Sequence, residues 1–138
     1  MVVNLITARS KKITIYTDFK KNLEVSPISD DLTVFKDEDA VKESIRNLLL
    51  TDRGERLMQP NIGGNLRAML FENITPGVLT LIEDQVRTTL ELYEPRAEII
   101  DVQVASNIDD NVVSISVSFF ILNNQQPISV SVFLERTR

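Results

Sequence analysis

The sequence predicts an α+β fold: a single small domain of two or three helices packed on a C-terminal antiparallel β-meander, with an extended N-terminal arm. Three observations carry that expectation. From Thr75 to Tyr93 apolar residues recur at spacings of three and four, and the pattern stops at Glu94-Pro95-Arg96. Beyond Arg96 the period drops to two and stays there almost to the C-terminus. The third is size: 138 residues, 43% hydrophobic and 25% charged, suffice for one core that buries roughly two thirds of the unfolded surface.

Residues 1–38 are expected to form the arm, and residues 39–138 the domain. Lys12 to Phe19 alternates apolar and polar residues well enough for a short strand. Leu23 to Phe35, with Pro27 among serines and aspartates, reads as an extended segment that wraps over the domain or a neighbour. A first helix is predicted over residues 39–50, capped by Asp37 or Asp39, with Val41, Ile45, Leu48 and Leu49 as its buried stripe. Gly54 is expected to close it in a left-handed conformation.

Three of the four glycines, Gly54, Gly63 and Gly64, fall between Leu48 and Phe71. They predict tight turns between short elements. The stretch matches neither phosphate-binding glycine pattern, G-x-x-x-x-G-K-[ST] or G-x-G-x-x-G. A short helix over residues 61–71 follows, burying Ile62, Leu66, Met69 and Leu70. The long helix then covers 75–93. Thr75 is a good N-cap, Pro76 sits at the first helical position where its missing N–H costs nothing, and Leu79, Ile82, Val86, Leu90 and Tyr93 form one stripe. Glu83, Asp84, Arg87, Thr88 and Glu91 take the polar face of a helix roughly 27 Å long.

Strands are predicted over 97–106, 112–122 and 128–135, separated by the turn clusters Asn107 to Asn111 and Asn123 to Pro127. Ile100, Val102 and Val104 supply the apolar face of the first, and Val113, Ile115, Val117, Phe119 and Ile121 that of the second. The third contributes Ile128, Val130, Val132 and Leu134. The opposite face carries Ser114, Ser116, Ser118, Ser129 and Ser131, small and uncharged. The last strand also lacks lysine and internal proline, the residues that commonly blunt a sheet edge. Its residues Ile128, Ser129, Val130, Ser131 and Val132 are therefore candidates for pairing with a partner's strand, main chain to main chain.

Composition closes much of the catalytic menu. Without cysteine there is no disulfide framework, thiolate metal site or cysteine nucleophile. Without histidine the usual neutral-pH base, the Ser-His-Asp arrangement and the commonest transition-metal ligand are missing as well. No cofactor and no metal are expected. A net charge of −5 argues against a nucleic-acid surface, and the clusters Arg9 to Lys12 and Lys20-Lys21 read as solvated arms. No apolar run reaches the length of a membrane span, and Met1 to Ser10 has neither the basic start nor the apolar core of a signal peptide. A soluble, non-membrane protein is the expectation.

At the end of the long helix, Pro95 pushes Glu94 out of the α region toward extended backbone, where residues two apart point the same way. Glu94 and Arg96 are thus expected to project as a rigid plus/minus pair roughly 7 Å apart at the surface end of the seam between helix and sheet.

The run from Ser44 to Glu72, followed by the long helix and Leu92 to Ile99, resembles the baseplate wedge, or sheath-initiator, family of T4-like contractile phage tails and its type VI secretion counterpart, TssE. The resemblance covers roughly residues 15 to 136. It rests on Glu94-Pro95-Arg96, supported by the motif residues Gly54, Glu55, Arg56, Pro60, Gly63 and Phe71. Tyr16 to Phe19 is similar to the short arm of the phage proteins, while Met1 to Lys11 has no counterpart. The resemblance implies a structural virion protein, not an enzyme, sited in the tail baseplate and assembled in the host cytoplasm. Its implied partners are the baseplate wedge scaffold proteins, the tail sheath protein, and tail tube or hub proteins. Glu94, Pro95 and Arg96 would dock on the helical bundle of the wedge scaffold, with Arg96 as anchor, and the C-terminal sheet would template the sheath. Because the family has carried a lysozyme-like label, an acidic glycosidase is the alternative. It needs two carboxylates at a fixed separation in a cleft, and Asp52, Glu55 and Glu72 are the nearest approach to such a set.

Overall fold

The computed structural model describes residues 15–107, 111–122 and 124–135. Met1 to Lys11, the start of the predicted first strand and most of the Asn107 to Asn111 turn lie outside them. In order, the described elements are β1 (Thr17–Phe19), β2 (Val34–Lys36), α1 (Glu38–Leu50), α2 (Leu66–Leu70), α3 (Pro76–Tyr93), β3 (Ala97–Asn107), β4 (Val112–Ile121) and β5 (Asn124–Glu135). The α+β class is as expected.

The segment expected as an extended arm doubles back on itself. β1 and β2 pair antiparallel, Asp18 opposite Phe35, and an isolated bridge joins Val25 to Leu32. This ribbon lies against α1, so it wraps its own domain. Asp37 fastens it. It occupies the N-cap position of α1 but at φ 46, where its side chain does not cap the helix. Its Oδ1 accepts instead from the N–H groups of Ile15 at 2.8 Å and Tyr16 at 3.4 Å. The expected cap is thus a clasp between ribbon and helix.

Two further expectations are corrected between α1 and α3. Helix α1 ends at Leu50 with Thr51 extended, three residues before Gly54, so that glycine does not close the helix. Gly54 does take a positive φ of 88, in the turn that follows. The short helix is only Leu66–Leu70, because Gly63 at φ 129 and Asn65 at φ 50 take conformations no helix can incorporate.

In α3 the Thr75 hydroxyl accepts from the N–H of Val78 at 3.3 Å, an N-cap as predicted. Ile82, Val86 and Leu90 are buried and Leu79 and Tyr93 partly so. Thr89, absent from the predicted stripe, is buried too, its hydroxyl satisfied by the carbonyl of Gln85 at 2.7 Å.

The sheet is an antiparallel meander in the order β3-β4-β5. On β4 and β5 every predicted inward residue is buried. On β3 a bulge between Ile99 and Asp101 shifts the phase. Ile99 therefore packs on the core opposite Phe119, and Ile100, predicted to face inward, is 42% exposed. β5 begins at Asn124, so Asn123 to Pro127 is not simply a turn and Pro127 lies inside the strand, contrary to expectation. It sits beside the register shift at Phe119/Ile121, where an edge strand tolerates a residue that cannot donate. α3 covers β3 and α1 reaches β5, making two layers around one core. The serine face lies opposite the helices, with Ser116 across from Ser131 and Ser118 across from Ser129.

Candidate functional site

The chain leaves α3 through a β-turn. Glu94 donates its N–H to Leu90 O at 2.8 Å as the last act of the helix, then accepts at its own carbonyl from Ala97 N at 3.2 Å. Pro95 occupies the second turn position, which its fixed φ suits. Glu94, at φ −124 and ψ 73, has left the α region as the proline dictates, yet the tripeptide is a turn and not an extended segment.

The turn brings the two charges into direct contact. Arg96 Nε donates to Glu94 Oε1 at 2.6 Å and Nη2 to Oε2 at 2.7 Å, a two-pronged fit of guanidinium on carboxylate. The expected separation is corrected, and so is the expected exposure, since only 2% of Glu94 reaches solvent. Ser44 of α1 donates a further hydrogen bond to Glu94 Oε2 at 2.5 Å. Burial alone pushes the Glu94 carboxyl up, but donation from Arg96 and Ser44 together with the Arg96 charge outweighs it and holds the group below the usual carboxylate value. The same hydrogen bonding raises Arg96 against its own desolvation.

Arg96 faces two ways. Its guanidinium carbon lies 5.6 Å from the centre of the Tyr16 ring in the N-terminal ribbon, and 30% of its side chain remains exposed. Nη1 makes no hydrogen bond among the described residues. One junction thus ties together α1, α3, the start of β3 and the ribbon. Ser44 and Tyr16 were not singled out from the sequence as parts of this site. Both lie far from Glu94 along the chain, and neither carries a local signal for the contact.

The remaining motif residues sit beside it. Gly54 donates its N–H to the carbonyl of Pro60 at 2.7 Å, closing a loop in which Glu55 Oε2 accepts from Asp52 N at 2.9 Å. Arg56 is exposed on that loop. Gly63 is buried with the carbonyl of Thr51 filling the space a side chain would take. Tyr93, the last residue of α3, donates its hydroxyl to Asn61 O at 3.0 Å and so binds this loop region to the turn. Phe71 is 72% exposed at the end of α2.

On the candidate edge, Ile128, Val130 and Val132 are 8%, 5% and 3% exposed and belong to the core, while Ser129 and Ser131 face out. Ser131 and Ser116 hydroxyls meet at 3.3 Å. β5 pairs with β4 on one side, and no strand among the described residues takes the other.

The carboxylates of the glycosidase alternative are engaged or scattered. Asp52 lies 3.6 Å from Arg67, Glu55 holds the loop, and Glu72 is exposed beyond α2.

The sequence profile of the family described as baseplate wedge protein gp25 matches residues 36–126. The protein of that name from Enterobacteria phage T4 is 29% identical over 89 residues, covering 64% of this chain and 67% of its own. Among solved structures, one described as a putative tail lysozyme from Geobacter sulfurreducens superposes with a TM-score of 0.68 at 28% identity, over 73% of this chain and 92% of that one. A chain of the anti-feeding prophage baseplate shares the fold at TM-score 0.61 and 22% identity, over 89% and 87% of the two chains.

Proposed function

The chain belongs to the baseplate wedge protein gp25 family and is a component of a contractile-tail baseplate, and we propose that within it the chain works as a docking and templating part, not as an enzyme. The observation that carries the proposal is the Glu94-Pro95-Arg96 turn. Glu94 fixes the guanidinium through two hydrogen bonds, Nη1 makes none among the described residues, and 30% of the side chain is exposed. A guanidinium held in one orientation has already lost most of the rotamer freedom that docking would cost it. Its remaining N–H groups suit a carboxylate, or the C-terminal carbonyls of a helical bundle in the wedge scaffold.

The second half of the proposal is the outer edge of β5. Strand addition there needs only main-chain groups, and no strand among the described residues takes that edge. The tail sheath is the partner proposed for it.

Arg96→Lys tests the docking half. Lysine keeps the charge and loses the fork, so affinity for purified wedge scaffold proteins should fall about tenfold, equivalent to roughly 1.4 kcal/mol, with the far-UV circular dichroism unchanged. Equal affinity of the two proteins would remove Arg96 from the interface.

A further inference from the structure

Residues 52–60 form a loop that the docking turn and the sheet edge leave unused. Its shape is set by its own hydrogen bonds: Gly54 N to Pro60 O at 2.7 Å, Glu55 N to Asp52 O at 3.2 Å, Gln59 N to Arg56 O at 3.2 Å, and Asp52 N to the Glu55 carboxylate at 2.9 Å. A loop tied in this way gives up little conformational freedom on binding.

At its tip Leu57 and Met58 are 97% and 95% exposed. Neighbouring apolar side chains are held almost wholly in water by a pre-formed turn, an arrangement that gains from being covered. Arg56, next to Leu57 in the chain, lines a trough of about 430 Å³ with Lys21, Asn47, Leu50, Thr51, Glu55 and Arg67. Three cations and one carboxylate line it; that carboxylate already accepts from Asp52 N, and Arg67 is paired with the Asp52 carboxylate at 3.6 Å. Lys21 and Arg56 make no ion pair among the described residues, and Arg67 keeps 59% of its side chain exposed beside Asp52. Lys21 and Arg56 thus place positive charge together on a chain of net charge −5.

We propose that the loop and trough form a second docking surface, for an acidic amphipathic helix of a protein partner. Arg56, a cation of the trough, directly precedes Leu57 and Met58 in the chain, so an occupant that reaches both must offer an apolar stripe and carboxylates side by side on one face, as such a helix does. Leu57 and Met58 enter the stripe, and Arg56 and Lys21 meet the carboxylates. An anionic bilayer is the other surface that takes an apolar tip with basic neighbours, and the chain's overall negative charge opposes it. The proposal stands independently of the roles given to Glu94, Arg96 and β5.

The test is a titration of the isotope-labelled protein, followed by amide chemical shifts, with a synthetic helical peptide about five turns long carrying leucines at spacings of three and four flanked by glutamates. Saturable shifts confined to residues 53–60, Lys21, Asn47 and Arg67 are expected. Arg56→Glu and the double variant Leu57→Ser/Met58→Ser, both altering exposed side chains, should each weaken binding at least tenfold. No saturable shift in this region overturns the proposal, as does an equal response to the same peptide with lysine replacing glutamate. Stronger shifts of the same residues by vesicles of phosphatidylcholine and phosphatidylglycerol would overturn it in favour of a membrane surface.

Discussion

Glu94 and Arg96 are both a docking candidate and part of the domain's own structure, and the two roles have separable consequences. Removing Arg96 leaves a carboxylate that is 2% exposed without its cation. Arg96→Ala should therefore lower the stability measured by urea unfolding by about 2–3 kcal/mol, below the roughly 3–5 kcal/mol for breaking a fully buried pair because Arg96 itself is partly solvated. The pH dependence follows from the depressed Glu94 pKa. Its contribution is fully present above the ordinary value of 4.5 and is lost as pH falls through the lower folded value. The stability advantage of wild type over Glu94→Gln should thus hold at neutral pH and shrink below about pH 4.5, and an advantage that grew on acidification would contradict the pairing. At the glycines, Gly63→Ala meets a positive φ and the Thr51 carbonyl together, whereas Gly54→Ala meets a positive φ alone in open space. Losses of more than 2 kcal/mol and about 1 kcal/mol are expected for them. That the two charges would be neighbours was legible from the proline between them. That Glu94 turns inward was not, because the hydroxyl receiving it belongs to Ser44, on another helix.

At the scale of elements, α3 and the three strands of the meander were legible because their signals are local: a capping threonine, a proline at the first turn, and alternation of apolar residues. Thr75→Ala should lower stability by about 1 kcal/mol through loss of the bond to Val78 N, measurable by thermal unfolding. The shortened α2 was hidden because its apolar residues keep helical spacing across Gly63 and Asn65, whose backbone conformations forbid the helix. The bulge in β3 was hidden for a related reason, since Ile99 and Ile100 are equally apolar and the pattern cannot say which one faces in. On β5, Ser129 and Ser131 face out while Val130 is packed in the core opposite Val117, so a proline at Val130 would damage the fold itself. Ser129→Lys/Ser131→Lys is the clean probe of templating. Scaffold binding should persist while sheath growth, scored by electron microscopy, falls; undiminished growth would count against strand addition here.

At the scale of the whole molecule, the N-terminal ribbon, α1, α3 and β3 converge on one turn whose partly exposed guanidinium is held by a buried carboxylate. The family match over residues 36–126 covers the turn but not β1, whose contact through Tyr16 was legible only as a short strand with no destination. The ribbon's fold depends on Asp37 receiving Ile15 and Tyr16, a pairing across more than twenty residues that no local pattern encodes. The central claim, that this turn docks the chain on the wedge scaffold, must be measured in a variant that keeps its fold. Glu94→Leu/Arg96→Met replaces both members of the buried pair with apolar side chains, an exchange that is often neutral for stability. Size-exclusion chromatography with light scattering, run on mixtures of wedge scaffold proteins with wild type or with this double variant, is the direct test. A stable complex is expected with wild type, and a folded double variant that elutes alone. A double variant that is folded and still co-elutes with the scaffold would show that Glu94-Pro95-Arg96 holds the domain together without docking it.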